Sequence, residues 1–262
     1  MKIVVLASGS KGNATYIETK QTKILIDAGI SYLQIRLRLA SRGILLSHID
    51  AIFVTHEHTD HIKHLVSVAS KTGATIYLSE ACYYNVNRRL NGGLNPLSVA
   101  LIHANCKYDL GDVAVAALEL SHDVASCFGY VFKEKKPGNV TYGYVTDTGY
   151  IPEQYLSLLS KIQVLSIESN HDVALLKSSA RPKVLIGRIL SKTGHLSNIQ
   201  CVEYLKGFNY KYMKWVILSH LSEECNTEAL ALEELNKGFE DGVNFRVEVA
   251  KQNEPLEVIE VE

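Results

Sequence analysis

Thr55-His56-Glu57-His58-Thr59-Asp60-His61 is the stretch on which the reading of this chain turns. It follows an apolar run, Ala51 to Val54, whose length suits a buried strand. Downstream, Ile62, Leu65, Val66 and Ala69 recur at helical spacing, so Ile62 to Thr72 predicts an amphipathic helix. Three imidazoles and a carboxylate are therefore expected in a loop between a strand end and a helix start. Neutral nitrogen donors with one anionic oxygen are what a borderline divalent cation takes. Within a turn, His56 and His58 can converge on one ion, while Asp60 and His61 lie far enough on to face a second. Two ions about 3.5–4 Å apart are the pattern of hydrolytic sites. The competing reading is a chance cluster of surface histidines, and with 10 His in 262 residues such a match is rare by accident.

The length allows a large core, built as one large domain or two small ones. Apolar residues make up 47% and charged residues 21%, the balance of a soluble globular protein. No apolar run reaches the length of a membrane span, so no membrane association is expected. Met1 to Ala7 is too short for a signal-peptide core and runs straight into Ser8-Gly9-Ser10-Lys11-Gly12-Asn13, which reads as a strand and a turn. That glycine run lacks the spacing of a phosphate-binding loop. The five cysteines are odd in number and unpaired in spacing, which points to reduced thiols and a cytoplasmic location. A formal net charge of −1 argues neither for nor against nucleic acid, and only a local basic groove could.

Further strands are expected at Lys2 to Leu6, Tyr16 to Thr19, Lys23 to Asp27, Thr75 to Leu78, Val99 to Ile102, Val113 to Leu118, Phe128 to Phe132 and Val140 to Thr146. Val164 to Ile167, Trp215 to Leu218, Phe245 to Ala250 and Leu256 to Val261 complete the set. Helices are expected at Ser31 to Ser41, Glu80 to Leu90, Pro152 to Ser160, Asn198 to Leu205 and Thr227 to Lys237, and a solvated hairpin turn at Lys133 to Asn139. No low-complexity linker interrupts the chain, so residues 1–262 read as a single domain. Strands run in series in each half with helices around them, which predicts an α/β (α+β) architecture of two mixed sheets faced by helices. Ligands distant in sequence should come from strand ends, which are rigid and point at a shared rim. His122, Asp147 and His220 each follow a predicted strand.

The H-x-H-x-D-H motif resembles that of the metallo-β-lactamase superfamily, and Asp27-Ala28-Gly29 resembles another of its features. Arg188-Ile189-Leu190-Ser191, Gly194-His195-Leu196-Ser197-Asn198, Glu168-Ser169-Asn170-His171-Asp172 and His220-Leu221-Ser222-Glu223-Glu224 narrow the resemblance to the YycJ/WalJ-like branch. That bacterial branch resembles 5′→3′ DNA exonucleases. The similarity runs from Ser8 to about Asn226.

It implies a four-layer αβ/βα sandwich with two divalent metal ions at one edge. His56, His58 and His122 would hold the first ion, Asp60, His61 and His220 the second, and Asp147 would bridge them. Histidine-rich ligation suits zinc, and manganese or iron would fit the same cage. Asp60 and His195 are the implied catalytic residues, with His195 as a phosphate or leaving-group donor. Arg188, Lys192, Ser197 and Asn198 are expected to touch substrate, and Asp27, Glu168, His171 and Asp172 to orient the ligands. His64 stands where many superfamily members carry glycine.

The implied reaction is two-metal hydrolysis of DNA, in which metal binding brings water's pKa down towards neutrality. The alternative is hydrolysis of a small C–N or thioester substrate, since hydroxide attacks a carbonyl equally well. Di-iron electron carriers usually have glutamate at the position of His58 together with a flavodoxin domain. The interval from Asp147 to His220 is too short for the inserted domain of β-CASP nucleases, and the tRNA-clamping arm of RNase Z is not evident.

Overall fold

The computed structural model describes residues 1–135, 140–208 and 211–262. Its first sheet is built from β1 (Lys2–Ala7), β2 (Ala14–Glu18), β3 (Lys23–Ile26), β4 (Ala51–Phe53), β5 (Thr75–Ser79) and β6 (Val99–Ile102). The second takes β7 (Lys107–Leu110), β8 (Val113–Leu120), β9 (Cys127–Glu134), β10 (Thr141–Val145), β11 (Val164–Glu168), β12 (Trp215–Ser219) and β13 (Arg246–Val249). The last strand, β14 (Ile259–Glu260), returns to pair with β1. Each sheet is half antiparallel and half parallel. Pairing is parallel from β3 to β6 in one and from β10 to β13 in the other.

The two inner faces share one core, in which the Phe53 ring lies 5.3 Å from Tyr130 and 5.5 Å from Phe132, edge to face. That geometry suits aromatic quadrupoles. Over the outer face of the first sheet lie α1 (Tyr32–Ala40), α2 (Thr59–Ile62), α3 (Leu65–Thr72) and α4 (Glu80–Arg89). On the side of the second sheet come α5 (Glu153–Leu159), α6 (Val173–Ser178), α7 (Lys183–Ile189), α8 (Asn198–Gly207) and α9 (Glu228–Gly238). Of these, α5, α8 and α9 pack on the sheet, while α6 and α7 close on a small separate cluster of Leu176, Ile189 and Cys225. The four-layer sandwich expected from the sequence is the observed architecture.

Helix starts follow their caps: the side chains of Ser31, Ser79 and Thr227 each accept a backbone N–H of the first turn. The helix expected over Ile62 to Thr72 is instead two, broken at Lys63-His64. The His64 N–H donates to the Ala28 carbonyl at 2.9 Å, which ties the break to the loop after β3. The edge strand β7, with its alternating exposure, and the short helices α6 and α7 carry no strong periodicity and escape sequence reading. Of the expected hairpin turn, Lys136 to Asn139 lie outside the described residues. Among the described residues no helix is long and apolar enough to cross a membrane.

Candidate metal centre

The carboxyl ends of β3, β4, β10, β11 and β12 open on one edge, where the two sheets meet. Three residues just past these ends, Asp27, Asp147 and His220, have φ of 60°, 59° and 58°. Left-handed backbone is uncommon for non-glycine residues and clusters at functional sites. These sharp turns bring each side chain back over the sheet edge. Each of His56, His58 and His122 offers a ligand atom within 4.8 Å of the others. His122 Nε2 lies 3.3 Å from His58 Nδ1. Asp60, His61 and His220 form a second such group, and Asp147 joins His56 and His61 in a third. The seven residues singled out from the sequence as ligands therefore meet in one place, with Asp147 between the two halves.

Buried carboxylates and carbonyls hold the rings. Asp27, fully buried, lies 2.7 Å from His61 Nδ1 and accepts the Thr55 N–H at 2.8 Å. Glu168 lies 2.7 Å from His195 Nδ1 and 3.0 Å from His220 Nδ1, and its other oxygen accepts the backbone N–H of Thr148. The Gly194 carbonyl sits 3.2 Å from His122 Nδ1. An acceptor at Nδ1 fixes the proton there and leaves the Nε2 lone pair for the site. His56 Nε2, His220 Nε2 and Asp147 Oδ2 are buried without a hydrogen-bond partner. Each such orphan costs about 1–3 kcal/mol unless something pairs with it. Divalent cations fit this donor set, which is imidazole nitrogen and carboxylate oxygen in a shared pocket.

The site lies at the floor of an open cleft of about 240 Å³. The family model described as the beta-lactamase superfamily domain matches residues 22–220. The chain belongs to the metallo-β-lactamase superfamily. Within the superfamily it is 34% identical over 232 residues to exodeoxyribonuclease WalJ of Streptococcus pneumoniae, covering 88% of this chain and 85% of that protein. It is 31% identical over 261 residues to exodeoxyribonuclease YycJ of Bacillus anthracis, covering 97% of each. These relatives place it in the YycJ/WalJ-like branch. The crystal structure of the metallo-beta-lactamase fold protein YhfI from Bacillus subtilis matches with a TM-score of 0.70 at 15% identity, over 98% of this chain and 99% of that one. That likeness is one of fold.

Charge divides this superfamily site into two halves. Burial, reinforced by neighbouring imidazoles, pushes the proton affinity of His56 and His58 down. Burial also lowers that of His122, so the all-histidine half is neutral and ready to ligate. In the carboxylate half the order reverses. Burial alone would lower His61, but Asp27, Asp147 and Asp60 outweigh it and hold its pKa well above the ordinary value. His220 is raised to about 10 against burial by Asp147, Asp60 and Glu168. Burial would raise Asp60 and Glu168, yet the facing histidines hold both well below the usual carboxylate range.

Several expected roles are corrected. Ser197 and Asn198 are buried away from the cleft. Ser197 caps α8 in a reciprocal box with Gln200, and Asn198 exchanges amide bonds with Asn226 at 2.8 and 3.0 Å. Neither is free to touch substrate, because Ser197 is engaged with Gln200 at the helix start and Asn198 with Asn226 and Ser169. Lys192 is exposed and lies off the cleft wall. Asp172 caps α6 by accepting the Leu175 N–H at 2.7 Å, and so orients no ligand. His171 is fully buried, has no ring partner among the described residues and is pushed down to about 4 by burial. Asp27, Glu168, His195 and Arg188 do stand where ligand or cleft contacts are made.

Two residues escaped notice as site members. Asn13 Nδ2 lies 3.1 Å from Asp60 Oδ2 and 3.1 Å from His61 Nε2, and its place in the Ser8 to Asn13 loop was the available signal. Asp123 sits with Oδ1 3.4 Å from His122 Nε2 and Oδ2 on Arg188 Nε, and only its adjacency to His122 hinted at it.

Proposed function

We propose that this chain is a two-metal phosphodiesterase that digests DNA from its 5′ end, acting as a single domain because both sheets supply the site. It is a metal-dependent hydrolase of the metallo-β-lactamase superfamily. His56, His58 and His122 would hold one ion, Asp60, His61 and His220 the other, and Asp147 both, with zinc the best match to the donors. Bound divalent ions supply Lewis-acid activation of water and offset charge on the phosphate.

The observation that carries the reading is the placement of His195. Its Nδ1 is held by Glu168 and lies 3.8 Å from Asp147 Oδ1, and the ring lines the same cleft as Arg181 and Arg188. With Nδ1–H bonded to Glu168, the doubly protonated ring would present Nε2–H to give a hydrogen bond or proton to a phosphate oxygen. Arg188 is anchored through Nε on Asp123, which leaves its terminal amino groups for non-bridging oxygens. Asp60, steadied by Asn13, would accept a hydrogen bond from the attacking water. The exodeoxyribonuclease relatives, matched over most of their length, support DNA as the polymer. All five cysteines are free thiols, which fits a reducing compartment such as the cytoplasm.

Metal-loaded protein given a labelled oligonucleotide and, separately, a chromogenic β-lactam tests this. The oligonucleotide should shorten from its 5′ end, and binding should weaken as salt rises through counterion release. Rapid β-lactam turnover with an untouched oligonucleotide would overturn the phosphodiesterase reading.

A further inference from the structure

The cleft has one side whose apolar residues the hydrolytic chemistry does not use. Its floor and near wall are imidazoles and carboxylates, as hydrolysis requires. The far wall is α7 with the turn before it, and it contributes Arg181, Leu185, Arg188 and Ile189. Leu185 and Ile189 are four apart and Arg188 is three from Leu185, so all three share one helical face. Leu185 is half-buried and rests on the cluster of Leu176, Ile189 and Cys225, which fixes it as a firm apolar step rather than a loose side chain. Each arginine is steadied by a carboxylate, Arg188 by one that itself lines the cleft. Arg181 Nε donates to Glu224 at 3.0 Å, and Arg188 Nε is paired with Asp123.

A ligand matching this wall carries a flat apolar face of ring size between anionic groups on either side. A nucleotide unit in a strand has that form: a base with phosphates on either side. We propose that Leu185, backed by the buried Ile189, forms a shelf for the base of the terminal nucleotide at the digested end, while Arg181 and Arg188 hold the phosphates flanking it. The inference rests on the phosphodiesterase reading and deepens it. The shelf presents aliphatic carbon to a base face, and with Arg188 of α7 engaged on phosphate it senses that a base is there without reading which one. The cation pair selects a strand over an isolated neutral substrate.

The test compares oligonucleotides that end in an ordinary nucleotide or in a stable abasic residue at the digested end, using metal-loaded full-length protein. The wild type should cut the ordinary end about tenfold faster than the abasic end, the scale expected from removing a ring's worth of apolar contact. The four ordinary bases should differ little among themselves. Leu185→Ala should bring the ratio of the two rates near one, and Leu185→Met, which keeps apolar volume, should preserve it. The ratio is internal to each protein, so a general loss of folded enzyme lowers both rates and leaves it unmoved. Should Leu185→Ala melt early, Leu185→Thr gives the same reading. Equal wild-type rates on the two ends, or an undiminished ratio in the folded Leu185 variant, would overturn the shelf and leave the phosphodiesterase intact. If the wild type cuts no oligonucleotide, the phosphodiesterase reading itself fails and the shelf falls with it.

Discussion

Asp27→Asn should weaken binding of the second divalent ion by about 10–100-fold without unfolding the protein. In the proposed site Asp27 would not be a ligand; it would set the tautomer of one, His61. Its Oδ2 lies 2.7 Å from His61 Nδ1, and it accepts the Thr55 N–H at 2.8 Å and the Thr55 hydroxyl at 3.0 Å, all fully buried. Asparagine is nearly isosteric and tolerates the φ of 60° found here, so the turn should survive. The amide, however, must offer one donor and one acceptor where the carboxylate offers two acceptors. If its oxygen keeps the Thr55 N–H, its NH₂ meets His61 Nδ1 and forces the proton onto Nε2, which blocks ligation. If the oxygen turns to His61 instead, the buried Thr55 N–H loses its partner at about 1–3 kcal/mol. Either arrangement costs the holo state on the order of 1.4–2.8 kcal/mol, the range that corresponds to 10–100-fold. Asp27 also raises the proton affinity of His61, so the comparison belongs at about pH 8 or above, where proton competition masks less of the loss. Competition against a chromophoric chelator gives the affinity, and a melt of the metal-free protein checks the fold. A folded Asp27→Asn that binds both ions with wild-type affinity would refute the tautomer argument.

Metal loading should depend on pH with a definite sign. His61 and His220 hold raised pKa values in the metal-free fold, so binding must displace their protons, and log affinity should rise by about one per pH unit for each proton released. The slope should persist until pH approaches about 10, where His220 gives up its proton, and flat affinity between about pH 7 and 9 would contradict it. By the same linkage, the stability that charged His220 lends the metal-free protein is complete below its ordinary value of 6.5 and fades as pH climbs towards about 10, which melts of metal-free and loaded protein would separate. His195→Ala should lower turnover on a phosphodiester by about 10²–10⁴ with metal content intact, and loss of metal would instead make it a ligand. Ser197→Ala should cost about 0.5–2 kcal/mol by denaturation while KM stays near wild type, whereas a selective rise in KM would restore it as a substrate contact.

His56, His58, Asp60 and His61 are legible in the sequence because a few residues of backbone bring them within one turn, whatever the rest of the chain does. His122, Asp147 and His220 are legible more weakly, as chemistry-bearing residues just beyond buried strands, and the family resemblance orders them. The sandwich itself follows from period-two and buried apolar runs alternating with capped helices. Other features depend on which loops become neighbours along the edge of one sheet. Glu168 serves His195 and His220 together, Asn13 reaches Asp60 from a loop 47 residues away, and Asp123 meets Arg188 from another element. Ser197 and Asn198 look like substrate contacts beside His195, but Gln200, Ser169 and Asn226 claim their polar atoms from the inside. The helix break at Lys63-His64 likewise answers to Ala28, a partner on a different strand's loop. Local pattern reports period and caps, and it carries no record of a hydrogen bond whose two ends, far apart in sequence, become neighbours only when the strands are paired in their order within a sheet.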